Sequence, residues 1–169
     1  WKILKRPLLV EDAGIFFDKY DNFPGTFSKW IFKSLGFEGV CKLYQPGDSA
    51  HFQLTLCYLE SPDSIHFFTG IGRGTLIAPK PGHNPNLPFS VLFVPNGHKK
   101  TYHELAQAKE HGPVSFRTKA LQAFIEWYAT AHKAEKKKKK QHLKSLSSDL
   151  NPANRSNHKA YLKKHSTAV

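Results

Sequence analysis

The sequence predicts an α/β fold: one globular domain in which helices pack on a largely antiparallel sheet. Three patterns carry that expectation. Between residues 50 and 59, Phe52, Leu54, Leu56 and Tyr58 alternate with His51, Gln53, Thr55 and Cys57, the period-two signature of a half-buried strand. Ser61-Pro62-Asp63-Ser64 then reads as a turn, with residues 65–69 as the hairpin partner and 72–77 as a further strand of an antiparallel meander. Helical spacing takes over in residues 28–35 and 114–132, the latter placing Leu121, Phe124, Ile125 and Tyr128 on a buried face.

The remaining elements follow in chain order. Leu8, Leu9 and Val10 form a short apolar run that stops at Glu11-Asp12-Ala13-Gly14, which predicts a strand delivering two carboxylates to a tight turn. Phe23-Pro24-Gly25 is a second turn signal. It precedes a helix in which Trp30, Ile31, Ser34 and Leu35 share a face and which Gly36 ends. Residues 79–88 hold four prolines, a glycine and two asparagines, the composition of a loop. Residues 89–94 return as an apolar strand closed by Pro95-Asn96-Gly97, and a short helix covers 102–108. The domain is expected to span residues 1–132.

Charge is unevenly placed. The chain of 169 residues has a formal net charge of +12. Residues 133–169 hold eleven Lys or Arg against Glu135 and Asp149, a net of +9, so residues 1–132 carry only +3. The folded part therefore has the charge of an ordinary soluble domain, and the basic character belongs to a lysine-rich tail with an unbroken run at 136–140. Disorder is the expectation for 133–169, with continuation of the last helix over 133–146 as the alternative.

Several function classes are disfavoured. No stretch of about 18 apolar residues spans a bilayer and no leader precedes a cleavage site, so no membrane association and a cytoplasmic location are expected. With no Met and Trp1 first, the start reads as a cut edge, which leaves a lost targeting segment open. Cys41 and Cys57 lack zinc or disulfide spacing and read as small core residues of a reducing compartment. His98, His103 and His111 have no metal-ligand spacing.

Six segments occur in one order: Pro7-Leu8-Leu9-Val10-Glu11-Asp12-Ala13-Gly14; Asn22-Phe23-Pro24-Gly25 with Lys29-Trp30; Phe67 to Gly70 with Gly72-Arg73-Gly74 leading to Ile77-Ala78-Pro79; Phe93-Val94-Pro95-Asn96-Gly97; Lys100-Thr101-Tyr102-His103-Glu104-Leu105; and Ser115-Phe116-Arg117. This collinear set resembles the inosine triphosphate pyrophosphatase family over residues 7 to about 130. The resemblance implies a long mixed, largely antiparallel central sheet flanked by helices, with two lobes and a nucleotide cleft between them. It also implies hydrolysis of non-canonical purine triphosphates (inosine, deoxyinosine or xanthosine) to monophosphate and pyrophosphate, a homodimer, and Mg2+ or another divalent cation as cofactor.

The resemblance assigns roles residue by residue. Asp12 is the candidate catalytic and metal-binding carboxylate, otherwise a solvated turn aspartate; Glu11, adjacent and pointing the other way along an extended chain, is a weak second metal ligand. Lys29 is the candidate phosphate contact, otherwise an exposed surface lysine. Arg117 is placed beside the base, where a guanidinium fork can donate to a purine carbonyl. Ser115 is a substrate contact or equally a helix N-cap, and Phe89 a base-stacking aromatic or a core residue. Three positions depart from the family: Ser90 replaces an aspartate that reads the base, His111 a lysine near the phosphates, and Phe116 the histidine of Ser-His-Arg. The family's N-terminal phosphate-binding segment, Thr/Ser-x-Asn-x-x-Lys, and a metal-binding glutamate are absent. Ser90, His111, Phe116 and the basic tail support a second expectation, a catalytically inactive relative kept as a binding or structural protein whose tail contacts RNA or another anionic partner.

Overall fold

The alternation around residues 50–59 becomes the centre of a five-stranded sheet. The computed structural model describes residues 1–21, 23–82 and 87–149. Its strands are β1 (Leu8–Phe17), β2 (Pro24–Gly25), β3 (Ser49–Ser61), β4 (Ser64–Leu76) and β5 (Phe93–Pro95), in the order β2-β1-β3-β4-β5. Every pairing is antiparallel. Register puts Ile15 beside Phe52 and Gly72, and Ala13 beside Leu54 and Gly70, so these residues share one face.

That face holds the core. Phe52 stacks on Phe116 at 5.1 Å and meets Phe93 edge-on at 4.9 Å, while Phe17 is edge-on to Tyr44 and Phe89. The contacts come from α1 (Ser28–Cys41) with the segment after it, from α2 (Tyr102–Gln107) and from the start of α3 (Phe116–Asp149). Aromatic pairs in such geometries add to the stabilisation from burial alone. On the opposite face Val10, Cys57 and Phe67 lie in one row and Leu8, Leu59 and Ile65 in the next. Val10, Ile65 and Phe67 are exposed there.

The sheet and the last helix depart from sequence expectation at several points. β1 does not turn at Glu11-Asp12-Ala13-Gly14 but continues to Phe17, because Ala13, Ile15 and Phe17 prolong the inward alternation. Gly14 serves close approach instead: a Cβ on it would lie 2.1 Å from the Gly25 carbonyl oxygen. β4 is one strand of 13 residues where two were expected. Its glycines do not break it; Gly70, Gly72 and Gly74 face inward, and a Cβ at Gly70 would meet the Phe116 carbonyl oxygen at 1.9 Å. Residues 89–94 are not one strand, since Pro88–Val91 form a 3-10 turn before β5. The packed face of α3 is Phe116, Ala120 and Phe124, whereas Leu121, Ile125 and Tyr128 are exposed.

Helix α1 begins where expected, but of Trp30, Ile31, Ser34 and Leu35 only Ile31 turns inward, and Gly36 does not end the element. Gly36, at φ 60° and ψ −169°, interrupts the helical path, and a further segment runs to Cys41. The inward residues of its first part are Ser28, Ile31 and Phe32, with Trp30 and Leu35 outward. Helix α2 carries a capping box: the Thr101 hydroxyl accepts from the Glu104 backbone N–H and the Glu104 carboxylate accepts from that of Thr101.

Contacts divide the chain into two units, Trp1–Ile125 and Glu126–Val169. The first contains the sheet and all the core just described. In the second, α3 continues to Asp149, in line with the alternative of a helix extended over 133–146 and not with disorder from residue 133; lysine is a good helix former. The remainder of that tail, 150–169, lies outside the described residues, as do Asn22 and 83–86 of the proline-rich segment.

Candidate functional site

Strand β2 covers only Ile15 and Phe16 of β1. The side of residues 8–14 facing away from β3 is therefore an edge among the described residues, and a groove of about 670 Å³ runs along it. Because the groove wraps an edge, consecutive residues reach it from both faces: Glu11, Asp12 and Ala13 all line it. The opposite wall is the start of α1, with Thr26, Ser28, Lys29, Trp30 and Lys33, and Arg117 closes one end.

Ser28 fixes the two walls against each other. Only 7% exposed, its hydroxyl accepts from the Ile15 backbone N–H at 2.9 Å and donates to the Gly25 carbonyl at 2.5 Å. This joins α1, β1 and β2 at one atom. No side chain among the described residues caps the N-terminus of α1; its first-turn residues Ser28, Lys29 and Trp30 line the groove, with the Trp30 N–H already donating to the Phe27 carbonyl, and a helix N-terminus is a favourable setting for phosphate. Lys29 and Lys33 flank the exposed Trp30 ring at 5.9 and 5.8 Å.

The two carboxylates differ in their partners. Glu11 accepts from Arg117 Nε at 3.2 Å and Nη2 at 3.0 Å, both side chains being about half exposed. Such a solvated pair contributes about 1 kcal/mol or less to stability, but it ties the start of α3 to the edge strand. Asp12 has no hydrogen-bond or ion-pair partner among the described residues.

A second depression, about 750 Å³, shares Glu11, Leu87 and Arg117 with the groove and adds Tyr102, Ala106, His111, Ser115 and Thr118. Burial pushes the Tyr102 phenol above its ordinary range, against the pull of its hydrogen bond to Ser115 and the Arg117 charge, so it stays a neutral donor. His111 meets Tyr102 edge-on at 6.0 Å, and its Nδ1 is buried without a hydrogen-bond partner.

Asp12, Glu11, Lys29 and Arg117 thus come together, with Ser115 and His111 in the adjoining depression. Ser115 is also the N-cap that the sequence suggested, accepting from the Thr118 backbone N–H at 3.2 Å. Phe89 is not a groove residue: it is 2% exposed and edge-on to Phe17 and Phe32. Ser90 is 1% exposed with an unpartnered hydroxyl, and Phe116 is fully buried. These three lie inside because the 3-10 turn and the first turn of α3 aim them at the sheet. Sequence reasoning missed Lys33, Trp30, Ser28 and Tyr102. Lys33 was accessible, since it lies one helical turn after Lys29.

An antiparallel sheet with its helices on one face, and an edge groove lined by two carboxylates and by lysines at a helix N-terminus, define the protein as an α/β fold with a charged groove along a sheet edge. The model of the Ham1 family matches residues 1–127, and the chain belongs to that family. It is 36% identical over 127 residues to a dITP/XTP pyrophosphatase of Methanopyrus kandleri, covering 74% of this chain and 66% of that one. It is 32% identical over 126 residues to an inosine triphosphate pyrophosphatase of Saccharomyces cerevisiae, covering 72% and 62%. The chain spans just under two thirds of the length of these relatives. A solved HAM1 protein from Coxiella burnetii shares the fold at a TM-score of 0.60 and 17% identity, covering 74% of this chain and 68% of that one. The Staphylococcus aureus Ham1 protein does so at 0.56 and 21%, covering 75% and 70%.

Proposed function

We propose that this protein hydrolyses non-canonical purine nucleoside triphosphates, those of inosine, deoxyinosine and xanthosine, to the monophosphate and pyrophosphate. The observation that carries the reading is one groove lined by Asp12, whose carboxylate is unpaired among the described residues, and by Lys29 and Lys33 at the start of α1. Family membership and the names of the relatives support it.

The donor set fits a hard divalent cation such as Mg2+. Asp12 would hold it, since Glu11 in the same groove is engaged by Arg117, and Mg2+ binds through one or two carboxylates while substrate phosphates and waters complete its shell. When bound, the cation neutralises phosphate oxygens and lowers the pKa of a coordinated water. Lys29, Lys33 and the α1 backbone donors hold the phosphate chain. Arg117, positioned by Glu11, lies between the phosphate groove and the depression lined by Tyr102, His111 and Ser115, which takes the base. Water attacks the α-phosphorus, the bond to the α,β-bridging oxygen breaks, pyrophosphate leaves, and Asp12 is placed to accept the water's proton.

The test is pyrophosphate release with Mg2+ and the inosine, xanthosine, adenosine and guanosine triphosphates. Turnover of the first two above the others is expected; no release from any sinks the reading. A homodimer and a cytoplasmic location belong to the same proposal. The dimer is supported by the exposed apolar rows of the outer sheet face, where Val10 is 60% and Phe67 67% exposed. Light scattering is expected to give a dimer that Phe67→Asp splits, and a monomeric wild-type chain rules it out.

A further inference from the structure

The open edge of β1 has a counterpart across the sheet. Strand β5 pairs with β4 only at Gly74, Thr75 and Leu76. Among the described residues, the part of β4 before Gly74 is therefore an edge on its side away from β3. A depression of about 330 Å³ wraps that edge, lined by Ile71, Arg73, Pro95, Asn96, Val114 and Lys119. It shares no residue with the groove along β1 or with the depression around Tyr102.

Its walls are tied together, and the ties consume acceptors while leaving donors. The Asn96 backbone N–H donates to the Arg73 carbonyl at 3.0 Å, and the Lys119 ammonium donates to the Ile71 carbonyl at 2.9 Å. At Gly72 a Cβ would lie 3.1 Å from the Val114 carbonyl oxygen, so strand and helix start are in close approach. Both edge carbonyls are thus occupied. In an antiparallel strand the N–H of a residue points to the same side as its C=O, which aims the Ile71 N–H at the open edge. The exposed Arg73 guanidinium has no hydrogen bond or ion pair among the described residues, and an ammonium has two further donors beyond the one Lys119 uses. No carboxylate among the described residues lines the depression.

We propose that this depression binds a phosphate dianion, either the free ion or the monoester of a small molecule. A phosphate monoester carries about −1.5 to −2 charges at pH 7, which matches two cations without an acid, whereas a carboxylate neutralises only one of them. Arg73 supplies a planar fork suited to bidentate contact with phosphate oxygens, and Lys119 a point charge. Asn96 adds an amide donor, and Ile71, Pro95 and Val114 give an apolar wall for the organic part of an ester. The site is distinct from the one proposed for hydrolysis. Arg117 lines the groove and Lys119 this depression, and residues two apart on a helix do not share a face.

The test follows amide NMR signals of the isotope-labelled full chain during titration with inorganic phosphate, glycerol phosphate and acetate at constant ionic strength. Saturable shifts are expected at the Ile71 and Arg73 backbone amides and the Asn96 side-chain amide, read separately from any at Lys29 and Lys33. The double variant Arg73→Gln, Lys119→Gln is expected to weaken binding at these signals by about 10-fold or more while shifts in the groove persist. Asn96→Asp, which puts a carboxylate into the depression, is expected to weaken it as well. Tighter binding of glycerol phosphate assigns the apolar wall to an ester, and tighter binding of inorganic phosphate assigns the site to the free ion. Absence of saturable shifts at these three residues overturns the proposal. So does acetate binding as tightly as phosphate, or unchanged binding by both variants. The spectra need no nucleotide turnover and so stand apart from the hydrolase assay.

Discussion

The two halves of β1 are one strand with opposite duties. After Gly14 it is clamped between β2 and β3, which pair with Ile15 and Phe16, and Ile15 and Phe17 are 0% and 1% exposed. Before Gly14 only β3 pairs with it, Leu9 and Val10 are 48% and 60% exposed, and Glu11 and Asp12 face the groove. The difference comes from the two residues of β2. Where a neighbour covers the strand, its side chains build the core; where none does, its edge is available for chemistry. The clamped half holds the open half at a fixed distance from α1, so rigidity on one side of Gly14 sets the geometry on the other.

Substitutions on either side of Gly14 should separate the two duties. Asp12→Asn is expected to lower pyrophosphate release about 1000-fold, near 4 kcal/mol of transition-state stabilisation, with a denaturation midpoint matching wild type. Gly14→Val should do the reverse: its Cβ has no room beside the Gly25 carbonyl, and chemical denaturation should show a loss of about 3 kcal/mol or more. Equal effects of the two on activity and stability would erase the distinction. Ser28→Ala removes the hydroxyl that joins the clamped half to α1; a stability loss of about 1–2 kcal/mol with a raised KM is expected, since Lys29 shifts with the helix.

The smallest effect lies far from β1. The Glu104 carboxyl is pushed down to about 2, first by the Thr101 backbone N–H and then by Lys80. Its folded pKa is below the ordinary 4.5, so its contribution is present above 4.5 and lost as pH falls toward 2. Glu104→Gln should flatten the acid limb of the stability curve over that window without altering stability differences caused by Gly14 or Ser28.

The fold was legible where one pattern had one explanation. Alternation in β3 led directly to its inward face. It was not legible where two patterns fitted. Along α3 both Phe116, Ala120, Phe124 and Leu121, Ile125, Tyr128 recur at helical spacing, and apolar content favours the second. The first wins because Gly70 admits only a small neighbour, with Phe116 O and Ala120 N within 2.6 Å of where its Cβ would be. That partner is about 50 residues away in sequence, beyond any local window. The same glycines made β4 look broken. In the site, Asp12 and Lys29 were recognisable from their motifs. Ser28 was not, because its role consists of bonds to two strands that only the folded chain brings near.

The Glu11–Arg117 tie spans 106 residues. On a ribosome moving at about 5–20 residues per second, roughly 5–20 s separate the synthesis of its two ends. Through that interval β1 waits first for β3 and then for α3. The groove is thus one of the last features of the first unit to be completed, and a nascent chain halted before Arg117 would have Glu11 and Asp12 but not the guanidinium that also lines the groove.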